Sequence, residues 1–186
     1  MHYHDYIKAL HESILQVDES TIQSFVHSLK YVKERGGRVF FIGVGGSAAN
    51  CSHAVNDFRK IAGMDALTPV DNVSELTAYT NDVSFSDCFT ESLKTSQLNN
   101  KDAICIFSVG GGGENVSKNI VKVIDFAKSR KALVLGIVSR DGGYTLAKAD
   151  VCIHFCPNNK ELVTPIAESL QVVFFHYIVN KIKEAH

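Results

Sequence analysis

Apolar residues follow two patterns along the chain, and their order predicts the fold class. Continuous apolar stretches rich in β-branched and aromatic residues are typical of buried strands, and they occur at 39–42, 66–70, 103–109, 133–138 and 151–155. Apolar residues three or four apart predict helices, here at 47–61, 74–79, 86–97, 114–129 and 163–183. Strands that alternate with helices favour an α/β fold with a doubly wound parallel sheet, whose ligands bind beyond the carboxyl ends of the strands.

Two more helices are predicted before the first strand, over residues 5–35, with Ser20 as a plausible N-cap of the second. Because they precede the sheet, they cannot connect its strands, and we expect them to pack on its outside or against another subunit. Nothing resembles a linker or a low-complexity segment. The sequence therefore predicts one domain over residues 1–186, with residues 1–36 as a leading helical segment.

Glycines end two of the predicted strands. The first strand runs into Gly43-Val44-Gly45-Gly46 and then Ser47, and a later one runs through Ser108 into Gly110-Gly111-Gly112-Gly113. Glycine lets the backbone approach a ligand, and the first NH groups of a helix attract anions. The two turns predict a phosphate-binding site. The first also fits G-x-G-x-x-A of a dinucleotide fold, with Asp71 as a ribose ligand, although such a fold does not need the second turn.

Four titratable residues are candidates for chemistry. His53 and Asp57 are four apart and share one helix face, while Glu168 and His176 are eight apart on the apolar last helix. The first two residues alone fit a structural pair equally well. If the two helices pack together, the four side chains form either an acid/base pair with supporting residues or a divalent metal site. Acid/base groups of this kind suit aldose–ketose isomerisation. The other histidines are not assigned to the site. His154, in the last strand, is expected to be a satisfied core or edge residue, and the rest are assigned to the surface or to packing: His2, His4, His11, His27 and His186.

Composition narrows the partners and the compartment. The 19 basic and 20 acidic residues nearly cancel, and there is no basic stripe, so nucleic acid is an unexpected partner. Five cysteines without a CxxC pair predict reduced core thiols of a cytoplasmic protein. No signal pattern is visible, and no apolar run is expected to reach the roughly 18 residues that span a membrane.

Taken together, these motifs resemble the sugar isomerase (SIS) domain family, and within it the phosphoheptose isomerases. The resemblance covers nearly the whole chain: the two leading helices, the first glycine turn followed by His53, Thr80-Asn81-Asp82, Ser108 with its glycine loop, Arg140-Asp141-Gly142-Gly143, and a last helix with His176. It implies a five-stranded parallel sheet, a homotetramer with active sites between subunits, and often a zinc ion. The implied reaction converts sedoheptulose 7-phosphate to the aldose phosphate for heptose of cell-surface polysaccharide.

The resemblance also implies roles for individual residues. Asp57 and His176 match the catalytic carboxylate and histidine. His53, Asp57, Glu168 and His176 match metal ligands of metal-bound relatives. The substrate-binding positions implied are Gly45, Gly46, Ser47, Asp82, Ser108, Gly110, Gly111, Gly112 and Gly113.

The chain departs from the family pattern at three of these places. Asp57 stands where a glutamate is usual, Glu168 where a glutamine is usual, and the second loop has glycines in place of serine and threonine hydroxyls. The extra carboxylate at Glu168 favours a cation. An isomerase of another ketose phosphate, and a non-catalytic sugar-phosphate sensor or adaptor, are the alternatives.

Overall fold

The computed structural model describes residues 2–184 and contains a five-stranded parallel sheet. The strands are β1 (Arg38–Gly43), β2 (Asp65–Leu67), β3 (Ala103–Ser108), β4 (Leu133–Val138) and β5 (Val151–His154). Their order across the sheet is β2-β1-β3-β4-β5. The order reverses between β1 and β3, which is where open α/β sheets bind ligands beyond the strand ends. The predicted fold class is confirmed.

Helices cover both faces of the sheet. They are α1 (Tyr3–Ile14), α2 (Glu19–Glu34), α3 (Gly46–Lys60), α4 (Val73–Asp82), α5 (Cys88–Thr95), α6 (Lys118–Ser129), α7 (Gly143–Lys148) and α8 (Val163–Lys183), with a 3₁₀ turn at Lys160–Leu162. Side chains alternate across β1: Phe41 joins one core with α2, α3 and α8, while Phe40 joins the other with α5 and α6. The first of these cores holds α3 and α8 together on one face of the sheet.

The leading helices pack on this same face, as expected. Phe25 and Leu29 of α2 are fully buried in the core that contains α8. The predicted N-cap is wrong, because Asp18 and not Ser20 precedes the first helical residue. The histidines assigned to the surface of this segment, His4 among them, are exposed; His186 lies outside the described residues.

Several predicted boundaries differ from the structure for local reasons. Strand β2 stops at Leu67 rather than residue 70, since Pro69 lacks the NH that a ladder needs. Helix α4 is capped by Asn72, whose side chain accepts from the Glu75 NH at 3.2 Å, and not by Ser74. It includes Thr80-Asn81-Asp82, which the sequence analysis took as a break.

Helix α6 starts at Lys118 and not at residue 114. Ser117 has φ +55°, and this left-handed backbone interrupts the helical geometry before Lys118. Residues 109–117 therefore form a loop, so the second glycine turn does not enter its helix directly.

The expectation that no apolar stretch is long enough to span a membrane is also wrong. Lys160–Lys183 is long and apolar enough, by length and composition, to cross a membrane. Just over half of its most apolar window, 56%, is buried inside the protein. Ile166, Leu170 and Phe174 of this helix pack in the core beside the sheet, which explains its hydropathy.

Candidate active site

Helices α3 and α8 bring three of the four candidate residues together. Asp57 Oδ2 lies 3.1 Å from His176 Nε2 and 3.6 Å from His53 Nε2. His53 and Asp57 meet because they are one turn apart on α3, and His176 reaches them from the facing side of α8. Both imidazoles therefore share one carboxylate oxygen, and the predicted packing of the two helices is confirmed.

This group is partly open to solvent. The side chain of Asp57 is only 11% exposed, whereas those of His53 and His176 are 47% and 44% exposed. The Phe175 ring meets the His53 ring edge to face at 5.0 Å and supports that imidazole from the core side. The other Asp57 oxygen accepts from Asn56 Nδ2 at 2.9 Å. The carboxylate is thus fixed in place, while the imidazoles remain accessible to a ligand.

The same three side chains could hold a metal ion. Their ligand atoms all lie within 4.8 Å of one another. Two imidazole nitrogens and one carboxylate oxygen form a donor set that catalytic zinc sites use, with a fourth position left for water or substrate. The chemistry of the donors therefore fits a divalent cation.

Glu168 does not join this group in the described chain. A β-carbon added at Gly46 would overlap the Glu168 carboxylate, so that carboxylate lies against the first residue of α3. Two turns of α8, about 12 Å of rise, separate Glu168 from His176. The Glu168 carboxylate therefore faces the N-terminal end of α3, where the positive end of the helix dipole stabilises a negative charge.

A hydrogen-bond network ties α8 to the start of α3. Gln171 Nε2 donates to Ser47 Oγ at 3.0 Å, and Asn50 Nδ2 donates to Gln171 Oε1 at 2.8 Å and to the Glu168 carbonyl at 2.9 Å. Asn50 and Gln171 were not expected from the sequence. The available signal was their spacing, since Asn50 is three residues from Ser47 and from His53, and Gln171 is three from Glu168.

A large cavity opens at the carboxyl ends of β1, β3 and β4. It has a volume of about 2030 Å³, and its lining includes Ser47, Ser108, Gly110, Gly112, Gly113, Arg140 and Tyr144. Tyr144 donates its hydroxyl to Asp125, and this hydrogen bond raises the pKa of Tyr144. Ser47 and Ser108 are buried and contribute hydroxyl groups to this wall.

The second glycine turn interlocks with the turn that follows β4. A β-carbon at Gly111 would overlap the Gly142 carbonyl, and one at Gly143 would overlap the Gly110 carbonyl. Thr145 donates through its backbone NH and its hydroxyl to the Gly111 carbonyl, at 2.9 and 2.7 Å. Only glycine suits position 111, because a side chain would overlap the Gly142 carbonyl and because the backbone there has φ +68°.

Not every NH of that turn is available to a ligand. The Gly111 NH donates to Ser108 Oγ at 3.0 Å, and the Gly113 NH donates to the Val116 carbonyl at 2.9 Å. The NH groups of Gly110 and Gly112 have no such partner among residues 2–184. The turn therefore offers half of the donors that the sequence analysis expected.

Some predicted substrate-binding residues lie elsewhere. Asp82 is exposed at the end of α4, accepts from Asn81 Nδ2 at 2.8 Å, and is absent from the cavity wall, as are Gly45, Gly46 and Gly111. His154 is partly buried, and its Nε2 lies 2.9 Å from the Arg140 carbonyl, in keeping with the edge role expected for it.

Residues 2–139 match the sequence profile of the SIS domain. The chain belongs to the SIS domain family. Structural comparison agrees on the fold: phosphoheptose isomerase GmhA from Neisseria gonorrhoeae superposes with a TM-score of 0.85 at 22% identity, covering 98% of this chain and 95% of that one. A phosphoheptose isomerase from Francisella tularensis gives 0.84 at 18% identity, covering 98% and 94%.

Similar sequences carry two different names. The lincomycin biosynthesis protein LmbN of Streptomyces lincolnensis is 35% identical over 149 residues, which cover 76% of this SIS chain but only 54% of LmbN. The chain thus spans about half the length of that relative. The phosphoheptose isomerase of Thermodesulfovibrio yellowstonii is 27% identical over 162 residues, covering 81% of this chain and 78% of that protein.

Proposed function

We propose that this SIS protein is a phosphoheptose isomerase, which converts sedoheptulose 7-phosphate to D-glycero-D-manno-heptose 7-phosphate. The observation that carries the proposal is the approach of Asp57 Oδ2 to His176 Nε2 at 3.1 Å in a chain of this family. A carboxylate and an imidazole side by side are what proton transfer between adjacent sugar carbons requires. Curated relatives named phosphoheptose isomerase support the choice of sugar.

The reaction needs one base and one acid. The Asp57 carboxylate removes a proton from C1 of the ketose, the electrons of the C1–H bond form the C1–C2 double bond, and the C2 carbonyl oxygen takes a proton from the His176 imidazolium. This gives the enediol. The O1 proton then passes to His176 while C2 takes the proton from Asp57, which leaves the aldehyde at C1. Asn56, which donates to the other Asp57 oxygen, holds the base in position.

A zinc ion, or another divalent cation, is the cofactor that we propose for this site. His53, Asp57 and His176 would hold it, and Glu168 is the further ligand that the family resemblance implies. When bound, such an ion would take the place of the His176 proton and would polarise the sugar oxygens at C1 and C2 instead. Since Glu168 lies against Gly46, about 12 Å of helical rise from His176, its participation would require more than a different side-chain rotamer.

We assign the phosphate of the substrate to the glycine turn after β3. The hydroxyls of Ser47 and Ser108 and the free NH groups of Gly110 and Gly112 are the polar groups of the cavity wall that suit a phosphate. Gly45, Gly46, Gly111 and Gly113 shape the backbone around it. Asp82 remains the proposed acid for a sugar hydroxyl.

We further propose a homotetramer with active sites shared between subunits. His53, Asp57 and His176 are absent from the cavity wall that contains the phosphate turn, and Asp57 lies about 15 Å further along α3 than Ser47. A neighbouring protomer could bridge this separation. Mixing Asp57→Asn chains with Gly113→Asp chains tests the idea, because position 113 has open space for a side chain and its carboxylate would repel phosphate. Shared sites predict activity in the mixture, whereas an inactive mixture would contradict them.

The pathway and compartment follow from the same proposal. We place the protein in the cytoplasm, in heptose biosynthesis for lipopolysaccharide or capsule. The five unpaired cysteines suit a reducing compartment.

A panel of ketose phosphates tests the function directly. Purified protein is incubated with five-, six- and seven-carbon ketose phosphates, with and without chelator, and aldose formation is followed. We expect sedoheptulose 7-phosphate to react fastest, and activity removed by chelator to return with zinc. Failure to turn over any ketose phosphate would contradict the proposal and favour a non-catalytic sugar-phosphate binder.

A further inference from the structure

Arg140 is a strained residue on the cavity wall. It follows β4 and has φ +54°, a left-handed conformation that costs free energy in any residue except glycine. The turn around it already contains glycines at positions 142 and 143. Strained residues that the surrounding structure holds in place concentrate at functional sites, so the side chain of Arg140 requires an explanation.

Hydrogen bonds on both sides fix the Arg140 backbone. His154 Nε2 lies 2.9 Å from the Arg140 carbonyl, the Ser139 NH donates to the Val109 carbonyl at 3.2 Å, and the Gly142 NH donates to the Ser139 carbonyl at 2.9 Å. The arginine side chain extends to the second glycine turn. Its Cδ and Nη1 both lie 3.9 Å from the position that a β-carbon on Gly110 would take.

The guanidinium has no hydrogen-bond or ion-pair partner anywhere in residues 2–184. By contrast, Lys122, another cation of the cavity wall, is bonded to Asp87 at 2.8 Å. The wall contains four cations, Lys118, Lys122, Arg140 and Lys160, and two carboxylates, Glu114 and Asp141. Arginine presents a planar fork of NH groups that matches a phosphate in a way that lysine cannot.

The glycine turn by itself is a poor anion site. Two of its four NH groups donate within the protein, and the loop has no hydroxyl between residues 110 and 113. An anion held there by Gly110 and Gly112 alone would lack both charge compensation and half of the expected donors. Arg140, which lies over Gly110, supplies a positive charge and further donors at the same place.

We propose that Arg140 is a substrate-binding residue that pairs with the phosphate of the sugar phosphate, in place of the hydroxyls that this loop lacks. The identity of the sugar rests on the proposed function, but the phosphate contact does not. Affinity for the phosphomonoester should therefore depend on Arg140, while the proton transfers at Asp57 and His176 should not.

The test compares Arg140→Gln and Arg140→Gly with Lys131→Gln. Lys131 is a matched control, because it too is an exposed cation with a left-handed backbone, φ +59°, and it lies outside the cavity wall in the turn before β4. Binding of inorganic phosphate is measured by calorimetry, and KM and kcat are measured with sedoheptulose 7-phosphate. Loss of a charge-assisted hydrogen bond predicts a phosphate Kd and a KM about 10- to 100-fold higher for both Arg140 variants, with kcat within about threefold.

Thermal unfolding separates this role from a structural one. Arg140→Gly relieves the left-handed strain, so its Tm should equal or exceed that of the wild type while phosphate affinity falls. A phosphate Kd for Arg140→Gln within twofold of that for Lys131→Gln would overturn the proposal. If no sugar phosphate is isomerised but phosphate binding still depends on Arg140, the proposed function fails and this inference stands. If a sugar phosphate is isomerised but KM is unchanged in the Arg140 variants, the proposed function stands and this inference fails.

Discussion

The two glycine turns look alike in sequence and differ in what faces them. The turn after β1 leads directly into α3, and the carboxylate of Glu168 lies against its last glycine, Gly46. The turn after β3 leads into the loop 109–117, and the guanidinium side chain of Arg140 lies beside its first glycine, Gly110. A carboxylate repels a phosphate and a guanidinium attracts one. A glycine turn thus permits a ligand to approach, whereas the facing side chain decides which charge that ligand carries.

This contrast assigns a different task to each turn. The first turn starts the helix that carries His53 and Asp57, and the network of Ser47 with Gln171 fixes that helix against α8. The second turn lines the cavity and interlocks with the residues after β4. We therefore associate the first turn with proton transfer and the second with phosphate binding.

The largest expected effect comes from Asp57→Asn. Loss of the base should lower kcat by about 10²- to 10⁴-fold and leave the Kd for inorganic phosphate within about twofold, because the phosphate is held at the other turn. Steady-state kinetics and calorimetry measure the two quantities. His27→Gln, at an exposed position of α2, is the matched control. Full activity in Asp57→Asn would remove the assignment of chemistry to α3.

A second prediction compares two glycines of the same turn. Gly111→Ala should lower the free energy of unfolding by about 3 kcal/mol or more, since it combines a left-handed backbone with overlap of the Gly142 carbonyl. Gly110→Ala meets only ordinary contacts with Arg140 at 3.9 Å and should cost less than about 1 kcal/mol. Urea denaturation measures both. Equal losses of unfolding free energy in the two variants would show that the contact between the two turns does not require glycine at position 111.

A third prediction concerns Glu168→Gln. If phosphate binds at the second turn, neutralising Glu168 removes a repulsion that acts only at a distance, and phosphate affinity should rise by no more than about threefold. If phosphate binds at the first turn, a carboxylate is removed from the site itself and affinity should rise tenfold or more. Calorimetry with inorganic phosphate at two salt concentrations distinguishes these outcomes. Asp65→Asn, on an exposed residue at the start of β2, controls for net charge.

The smallest predicted effect is a loss of stability at alkaline pH. Burial raises the pKa of Cys152 to about 12 and raises those of Cys51, behind the first turn, and Cys105 well above the ordinary value of 9.0. Below pH 9 both the folded and unfolded states keep these protons. As the pH rises from 9 toward 12, the unfolded chain releases them while the folded chain retains them, so the free energy of unfolding falls.

Urea denaturation between pH 8 and 10.5 measures this slope. Cys51→Ala, at a fully buried residue behind the first turn, should reduce it, while Cys156→Ala, at a partly exposed residue on the cavity wall, should leave it unchanged. Identical slopes in both variants would contradict the contrast between a dry interior behind the first turn and an open cavity at the second.

Much of the fold was predictable because its signals are local. Apolar stretches such as 103–109 can hardly be anything except central strands, and the spacing of α8 fixes its bounds at Val163–Lys183. The errors occur where a single residue overrides the pattern. Pro69 ends β2 early, and Ser117 delays α6 through its left-handed backbone. Periodicity does not register either effect, since it measures where side chains face and not whether a backbone can continue.

For the candidate site, the sequence by itself determined which residues share a helix face, because the spacing of a helix is fixed: His53 with Asp57, and Glu168 with His176. The crossing of α3 and α8 then decided which of them meet. It brought His176 to Asp57 and placed Glu168 at Gly46 instead. Likewise, only the packing of one loop against another set Arg140 beside Gly110. Contacts between distant segments depend on how whole helices and loops dock, and no local spacing encodes that.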